Sequence, residues 1–264
     1  ATNELSGMFV DMVAHTRMSN PWTAVRFHAK TPDWFANKVA KAMRMGTGEP
    51  KLFSDEVCIQ AMTNTGVTLE DARNYVIVGC VELSVPGKEY GWHDSAYFSL
   101  ARVLELAIND GCAVGRENLG RLGPATGQLA DFQSFDEVKG AYETQMRYWV
   151  DVMARSTNII DDVHREMKPL PYLSLLVDDC LGQGRDIGTG STVYNFTGPQ
   201  GAGVGTTADS LAAIKQLVFD ERKVTGADLQ AALHANWEGH EVLYHLVNSD
   251  MVHHYGNDDD FADE

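Results

Sequence analysis

The stretch Asn74-Tyr75-Val76-Ile77-Val78-Gly79-Cys80-Val81-Glu82 organises the chain around two reactive groups. Its first half is a run of β-branched and aromatic residues, which is typical of a strand. A glycine directly before the cysteine indicates a bend or a close backbone approach rather than a mid-strand position. On extended backbone, residues two apart point to the same side, so the Cys80 thiol and the Glu82 carboxylate are predicted to face one space.

The composition is that of an acidic globular chain. Of 264 residues, 44% are hydrophobic, which is enough for a substantial core, and the formal net charge is −16. That charge argues against nucleic acid or an anionic membrane as a partner and suits small-molecule ligands. The sequence has no run of 18 apolar residues and no signal-peptide pattern, and its four cysteines form no CxxC pair. A reducing cytoplasm is therefore expected.

The hydrophobic pattern predicts a mostly helical chain with two or three short strands. Asp94 is predicted to cap a periodic helix that ends near Asn109, and a capping box at Ser134 starts a helix that runs to about residue 156. Strands are predicted at 23–27, 75–79 and 193–196. Residues 198–205 are predicted to be a glycine-rich loop, and they match no nucleotide-binding fingerprint.

The residues leave the role of Cys80 open between two readings. Free cysteine is among the most buried residue types, so a core thiol is the simpler reading. A cysteine hydrolase is disfavoured, because the nearby carboxylate of Glu82 disfavours the thiolate nucleophile. Chemistry of the neutral thiol, such as hydrogen-atom transfer, suits the pair better.

Two further groups of polar residues are candidates for a functional site. Tyr90, Trp92, His93 and Asp94 follow the cysteine by about a dozen residues and could hydrogen-bond a polar ligand. Nine histidines raise the question of a metal. However, the pair in the stretch 240–245 lies five residues apart on different helix faces, so we predict no metal site.

The motif Gly79-Cys80-Val81-Glu82, followed by Pro86-Gly87 and Gly91-Trp92-His93-Asp94, resembles the cysteine loop of the glycyl radical enzymes, which are pyruvate formate-lyase-like. The resemblance is strongest to the B12-independent glycerol/diol dehydratase branch and covers nearly the whole chain. It implies an α/β fold that forms part of a ten-stranded barrel surrounded by helices. Residues 1–264 would be the central part of one such domain, with the cysteine finger loop near residues 78–94.

The resemblance also implies an oxygen-sensitive lyase of the dehydratase type. A thiyl radical on Cys80 would take a hydrogen atom from a hydroxyl-bearing carbon, Glu82 would act as base on that hydroxyl, and Asp94 would bind the substrate. Water leaving a 1,2-diol such as glycerol or propane-1,2-diol is the expected reaction. Sulfite release from isethionate and trimethylamine release from choline are the alternatives.

The sequence departs from the family pattern in two places. The radical-bearing glycine loop is absent, and Leu83-Ser84 stands where glycerol dehydratases are expected to have Pro-Gln. The chain is therefore expected to be a central fragment that binds no cofactor directly, with the glycyl radical on a segment outside it. Expected partners are a small polar substrate, an S-adenosylmethionine and iron–sulfur activating enzyme, and a second copy in a homodimer. An inactive fragment or scaffold is the alternative of another class.

Overall fold

A computed structural model describes residues 2–18 and 20–263 of the chain. Six short strands occur within those residues, and each pairs with a single partner. The strands β1 and β2 run parallel, β3 and β4 form an antiparallel hairpin, and β5 pairs with β6. Their bounds are β1 Ala24–Phe27, β2 Lys51–Ser54, β3 Val76–Val78, β4 Glu82–Ser84, β5 Trp92–Ser99 and β6 Thr197–Ala202.

Helices make up most of the remaining regular structure. The helix α9 continues directly into a π-helix over Ile214–Asp220, and short 3₁₀ helices lie at Glu117–Leu119 and Ile187–Thr189. The α-helices in the described residues are α1 Glu4–Thr16, α2 Asp33–Met43, α3 Asp55–Asn64, α4 Leu69–Arg73, α5 Leu100–Ala107, α6 Phe135–Met167, α7 Pro171–Ser174, α8 Cys180–Gln183, α9 Val204–Ala213, α10 Gly226–His234, α11 Glu241–Val247 and α12 Asp260–Asp263.

The chain divides into two compact units. Unit 1 contains the residues up to His93 together with Val163–Gly198, and unit 2 contains Asp94–Asp162 and the residues from Pro199 onward. The assignment of residues 1–264 to one domain stays a prediction.

Each unit has its own apolar core. One core of unit 1 joins α1, β1 and α2, and a second packs beside the β3–β4 hairpin; the second consists of Met62, Val67, Ala72, Tyr75 and Val85. The main core of unit 2 joins α5, α6, α10 and the π-helix, and consists of Leu104, Ile108, Leu129, Val138, Ile214 and Leu229.

The prediction that Asp94 caps a helix is wrong. The segment from Trp92 to Ser99 is the strand β5, and α5 begins only at Leu100, with the Ser99 side chain accepting the capping hydrogen bond. Aromatic residues such as Tyr97 and Phe98 suit a strand as well as a helix. Pairing with β6 settles the choice, and that pairing cannot be read from a local pattern.

The prediction for residues 193–205 is also wrong. The strand β6 begins at Thr197 and runs through the glycines that were expected to form a loop. Glycine permits a close backbone approach within a strand. A Cβ added at Gly198 would lie 3.1 Å from the carbonyl oxygen of His93, so a larger residue would not fit easily there.

The helix that begins after Ser134 extends eleven residues beyond its predicted end, to Met167 rather than residue 156. The polar residues that suggested an earlier end are accommodated inside the helix. The Ser156 and Thr157 hydroxyls donate hydrogen bonds to the carbonyl oxygens of Val152 and Met153, one turn earlier. Such bonds satisfy the side chain without interrupting the backbone ladder.

Candidate active site

The β3–β4 hairpin places Cys80 in its turn. The last cross-strand pair joins Val78 to Glu82, so residues 79–81 form the connection. Gly79 has φ +57°, a left-handed conformation that glycine adopts without strain. The predicted bend before the cysteine is therefore confirmed. The assumption that Cys80 lies on extended backbone is wrong, because the chain reverses direction at this residue.

The structure nevertheless brings the Glu82 carboxylate to the turn that carries the thiol. The backbone N–H of Val81 donates a hydrogen bond to Glu82 Oε2 over 3.0 Å. A Cβ built on Gly79 would lie 2.9 Å from the same oxygen. The carboxylate thus folds back over the turn, towards Gly79. Cys80 and Glu82 are both partly exposed. We call Gly79–Glu82 the hairpin tip.

The start of the hairpin, where the chain enters β3, is held by Arg26, Asp55 and Tyr75. The Arg26 guanidinium donates to the carbonyl oxygens of Arg73 and Tyr75 at 3.1 and 2.9 Å and pairs with Asp55 at 2.7 Å. It also lies 3.8 Å from the centroid of the Tyr75 ring, and the Tyr75 hydroxyl donates to Asp55 at 2.9 Å. Because Tyr75 directly precedes β3 and is almost fully buried, these contacts hold the start of the hairpin.

This network shifts the pKa values of Asp55 and Tyr75 among its members. Partial burial opposes ionisation of Asp55, but the hydrogen bonds from Arg26 and Tyr75 hold the pKa of that carboxyl below its ordinary value. Burial, followed by the hydrogen bond to Asp55, raises the pKa of the Tyr75 phenol. At neutral pH the carboxylate is therefore charged and the phenol is a neutral donor.

The segment that leaves the hairpin after β4 is held by Asp71. Its carboxylate accepts hydrogen bonds from Lys88 Nζ at 2.7 Å, the Tyr194 hydroxyl at 2.8 Å and the Thr68 hydroxyl at 3.0 Å. Those from Lys88 and Tyr194 lower the pKa of Asp71. Lys88 follows β4 by four residues, so the chain leaving the hairpin is tied to α4. We call these two networks together the hairpin base.

Asp94, the predicted substrate-binding residue, belongs to unit 2, whereas Cys80 and Glu82 belong to unit 1. Its exposed carboxylate lies on β5, where Oδ1 accepts a hydrogen bond from the Gln200 amide of β6 at 2.7 Å. The sequence did not indicate Gln200 as a partner, because its pattern predicted a loop where β6 lies. Substrate binding by Asp94 stays a prediction.

The residues just before Asp94 are occupied by internal contacts. The Trp92 ring packs edge-on against the His164 ring with centroids 5.0 Å apart. His93 Nε2 lies 3.6 Å from Oε1 of Glu89, whose side chain is only 1% exposed. Sequence reasoning missed Glu89. No motif marks it, and only its burial and its contacts, such as the hydrogen bond that Oε2 accepts from the Val85 N–H at 2.9 Å, show that it matters to this segment.

Among the described residues, no group of three or more histidine, cysteine or acidic side chains is placed to hold a metal ion. His240 precedes the first residue of α11 and His245 lies within it, so the two do not share a helix face. No helix in the described ranges combines the length and apolar character needed to cross a bilayer.

Comparison with known proteins identifies the family. The pyruvate formate lyase-like family model matches residues 1–264. The chain belongs to the pyruvate formate lyase-like family. This membership confirms the resemblance seen in the cysteine motif.

Two members of the family illustrate the similarity. It is 50% identical over its whole length to (2S)-3-sulfopropanediol dehydratase of Klebsiella oxytoca, of which it covers 32%. It is also similar to the glycerol-bound B12-independent glycerol dehydratase of Clostridium butyricum, with 43% identity and a TM-score of 0.86 over 99% of this chain and 33% of that one. The chain therefore spans about a third of the length of each relative.

A third comparison confirms the fold class. The crystal structure of a glycyl radical enzyme from Archaeoglobus fulgidus matches with a TM-score of 0.83 and 31% identity, over 99% of this pyruvate formate lyase-like chain and 33% of that chain. The predicted α/β class, as part of the glycyl-radical-enzyme barrel, is confirmed by these neighbours.

Proposed function

We propose that this chain carries the cysteine and base of a glycyl radical dehydratase that acts on a small vicinal diol. The observation that carries the proposal is the hairpin tip, where the Glu82 carboxylate folds over the turn that contains Cys80. Membership of the family and similarity to two diol dehydratases support the reaction class.

In the proposed reaction an organic glycyl radical, stored elsewhere in the enzyme, takes the hydrogen atom of the Cys80 S–H bond, which forms a C–H bond at the glycine and leaves a thiyl radical. The thiyl sulfur of Cys80 takes a hydrogen atom from the carbinol carbon, which forms S–H and leaves a carbon radical. Glu82 accepts the proton of the hydroxyl on that carbon as the C=O bond forms. The neighbouring C–O bond breaks, and the departing hydroxide becomes water by taking up the proton that Glu82 accepted, so that the carboxylate is restored. The product radical then recovers its hydrogen atom from Cys80.

The hairpin base suits this chemistry. Its contacts hold the residues where the chain enters β3 and leaves β4, so the tip that carries the thiol and the carboxylate rests on a fixed support. Asp94 is proposed as a ligand for a substrate hydroxyl. An S-adenosylmethionine activating enzyme and homodimer assembly are proposed by resemblance.

The test uses the full-length gene product, activated anaerobically, with glycerol, propane-1,2-diol and (2S)-3-sulfopropanediol as substrates. Spin resonance should show a glycyl doublet, and aldehyde should form from at least one diol. Cys80→Ala should abolish turnover while the doublet remains. The matched control, Cys112→Ala, should retain the activity of the parent, because Cys112 is a partly exposed cysteine outside the hairpin and has no part in the proposed reaction.

Several outcomes would contradict the proposal. Turnover by Cys80→Ala would exclude the thiyl mechanism. Release of sulfite in place of water from the sulfonated diol would assign a C–S lyase. If the activated protein shows neither a radical nor turnover, the scaffold alternative is favoured.

A further inference from the structure

Two glycines near the hairpin share a backbone conformation but differ in their surroundings. Gly79, at the tip, has φ +57° and Gly87, beyond β4, has φ +76°. A Cβ at Gly79 would lie 2.9 Å from Glu82 Oε2, closer than real Cβ contacts come, whereas a Cβ at Gly87 would have no heavy atom within 4 Å. Any L-residue is strained at both positions, but only at Gly79 does it displace another group.

The group that would be displaced is the carboxylate of the proposed base. Glu82 reaches the Val81 N–H through the space that Gly79 leaves open. We propose that Gly79 is a positioning residue, whose missing side chain lets the Glu82 carboxylate fold over the cysteine turn. This inference rests on the proposed function, because it assigns Gly79 a role in placing the base.

The geometry separates a catalytic effect from a stability effect. The carboxylate is the end of a flexible side chain and can swing away from an added Cβ at little energetic expense. The fold should therefore tolerate the new atom about as well as it tolerates a side chain at Gly87. The base, however, would leave its position, and a displacement of about 1 Å can lower a rate roughly 100-fold.

The experiment compares Gly79→Ala, Gly79→Asn and Gly87→Ala in the activated full-length gene product. Asparagine tolerates positive φ better than alanine but still carries a Cβ, so it isolates the displacement from the backbone strain. We expect both Gly79 variants to lose kcat by roughly 100-fold, with KM within about threefold of the parent and the glycyl doublet unchanged. Gly87→Ala should keep kcat within about threefold of the parent. Its midpoint of thermal unfolding should equal that of Gly79→Ala.

Three results would overturn the inference. The first is a kcat for Gly79→Asn within about threefold of the parent, and the second is an equal loss of kcat in Gly87→Ala. The third would be seen in a crystal structure of Gly79→Asn and does not depend on an activity measurement. We expect the Glu82 carboxylate to have left the Val81 N–H, and a retained hydrogen bond would contradict the proposal. Failure of the proposed function is recognised separately, since it would show as turnover in Cys80→Ala.

Discussion

The base and the tip of the β3–β4 hairpin are built from different interactions. At the base, partly buried ion pairs and hydrogen bonds hold Tyr75 and Lys88 against neighbouring helices. At the tip, a glycine turn presents a thiol and a carboxylate that are both partly exposed. The comparison places the stabilising contacts at the hairpin base and the proposed reactive groups at the hairpin tip. Substitutions in the two regions should therefore change different measurements.

The largest effect is expected at the tip. Glu82→Gln keeps the shape of the side chain but removes the carboxylate that is proposed to accept the proton. Turnover of the activated enzyme should therefore fall roughly 10²–10⁴-fold. The free energy of unfolding should change by less than about 0.5 kcal/mol, since the side chain is partly exposed. Kinetics and urea unfolding of the same preparation check both statements. Glu56→Gln, on the exposed face of α3, is the control.

A substitution at the base should show the reverse pattern. Arg26→Gln removes the ion pair with Asp55 and the contacts to two backbone carbonyl oxygens. It should lower the free energy of unfolding by about 2–3 kcal/mol, because Asp55 is left partly buried without its cation. Lys38→Gln, which breaks the more exposed pair with Asp11, should change it by less than about 1 kcal/mol. Equal effects of the two substitutions would contradict a special role for the base.

A smaller effect is expected at the second network of the base. Tyr194→Phe removes the hydroxyl that donates to Asp71 and accepts from the Thr68 N–H. The midpoint of thermal unfolding should fall by about 3 °C, the usual consequence of losing one such group. Tyr172→Phe, on an exposed ring in α7, should leave the midpoint unchanged. If turnover falls while the midpoint of thermal unfolding does not, Tyr194 instead takes part in the reaction.

The smallest effect is expected in the pH dependence of the stability that the hairpin base contributes. The pKa of Asp55 and that of Asp71 are lowered in the folded state. Each carboxylate therefore stabilises the fold above its unfolded pKa of about 3.9, and this stabilisation is lost as the pH falls through the lower folded value. Urea unfolding between roughly pH 5 and pH 3 should show the loss, and Asp55→Asn should show less of it. An unchanged acid slope in Asp55→Asn would remove this residue from the account.

Local chemistry predicted the elements whose signals lie within a few residues. The cap at Ser134 starts α6 as expected, and glycine before Cys80 marks a turn. The same reasoning failed at β5 and β6. Aromatic residues and glycines are compatible with several conformations, and the choice between them came from pairing with a distant strand.

The sequence by itself indicated the family and the mostly helical character of the chain, and it marked Cys80 and Glu82 as candidate site residues, because each is encoded by a short motif or a local period. Only the tertiary structure decided how the glutamate reaches the cysteine turn, through the space left at Gly79 and the N–H of Val81. It also decided what holds the hairpin, since Arg26 and Tyr194 act on it from far away in the sequence. Contacts of that kind depend on the folded backbone and have no local signature in the sequence.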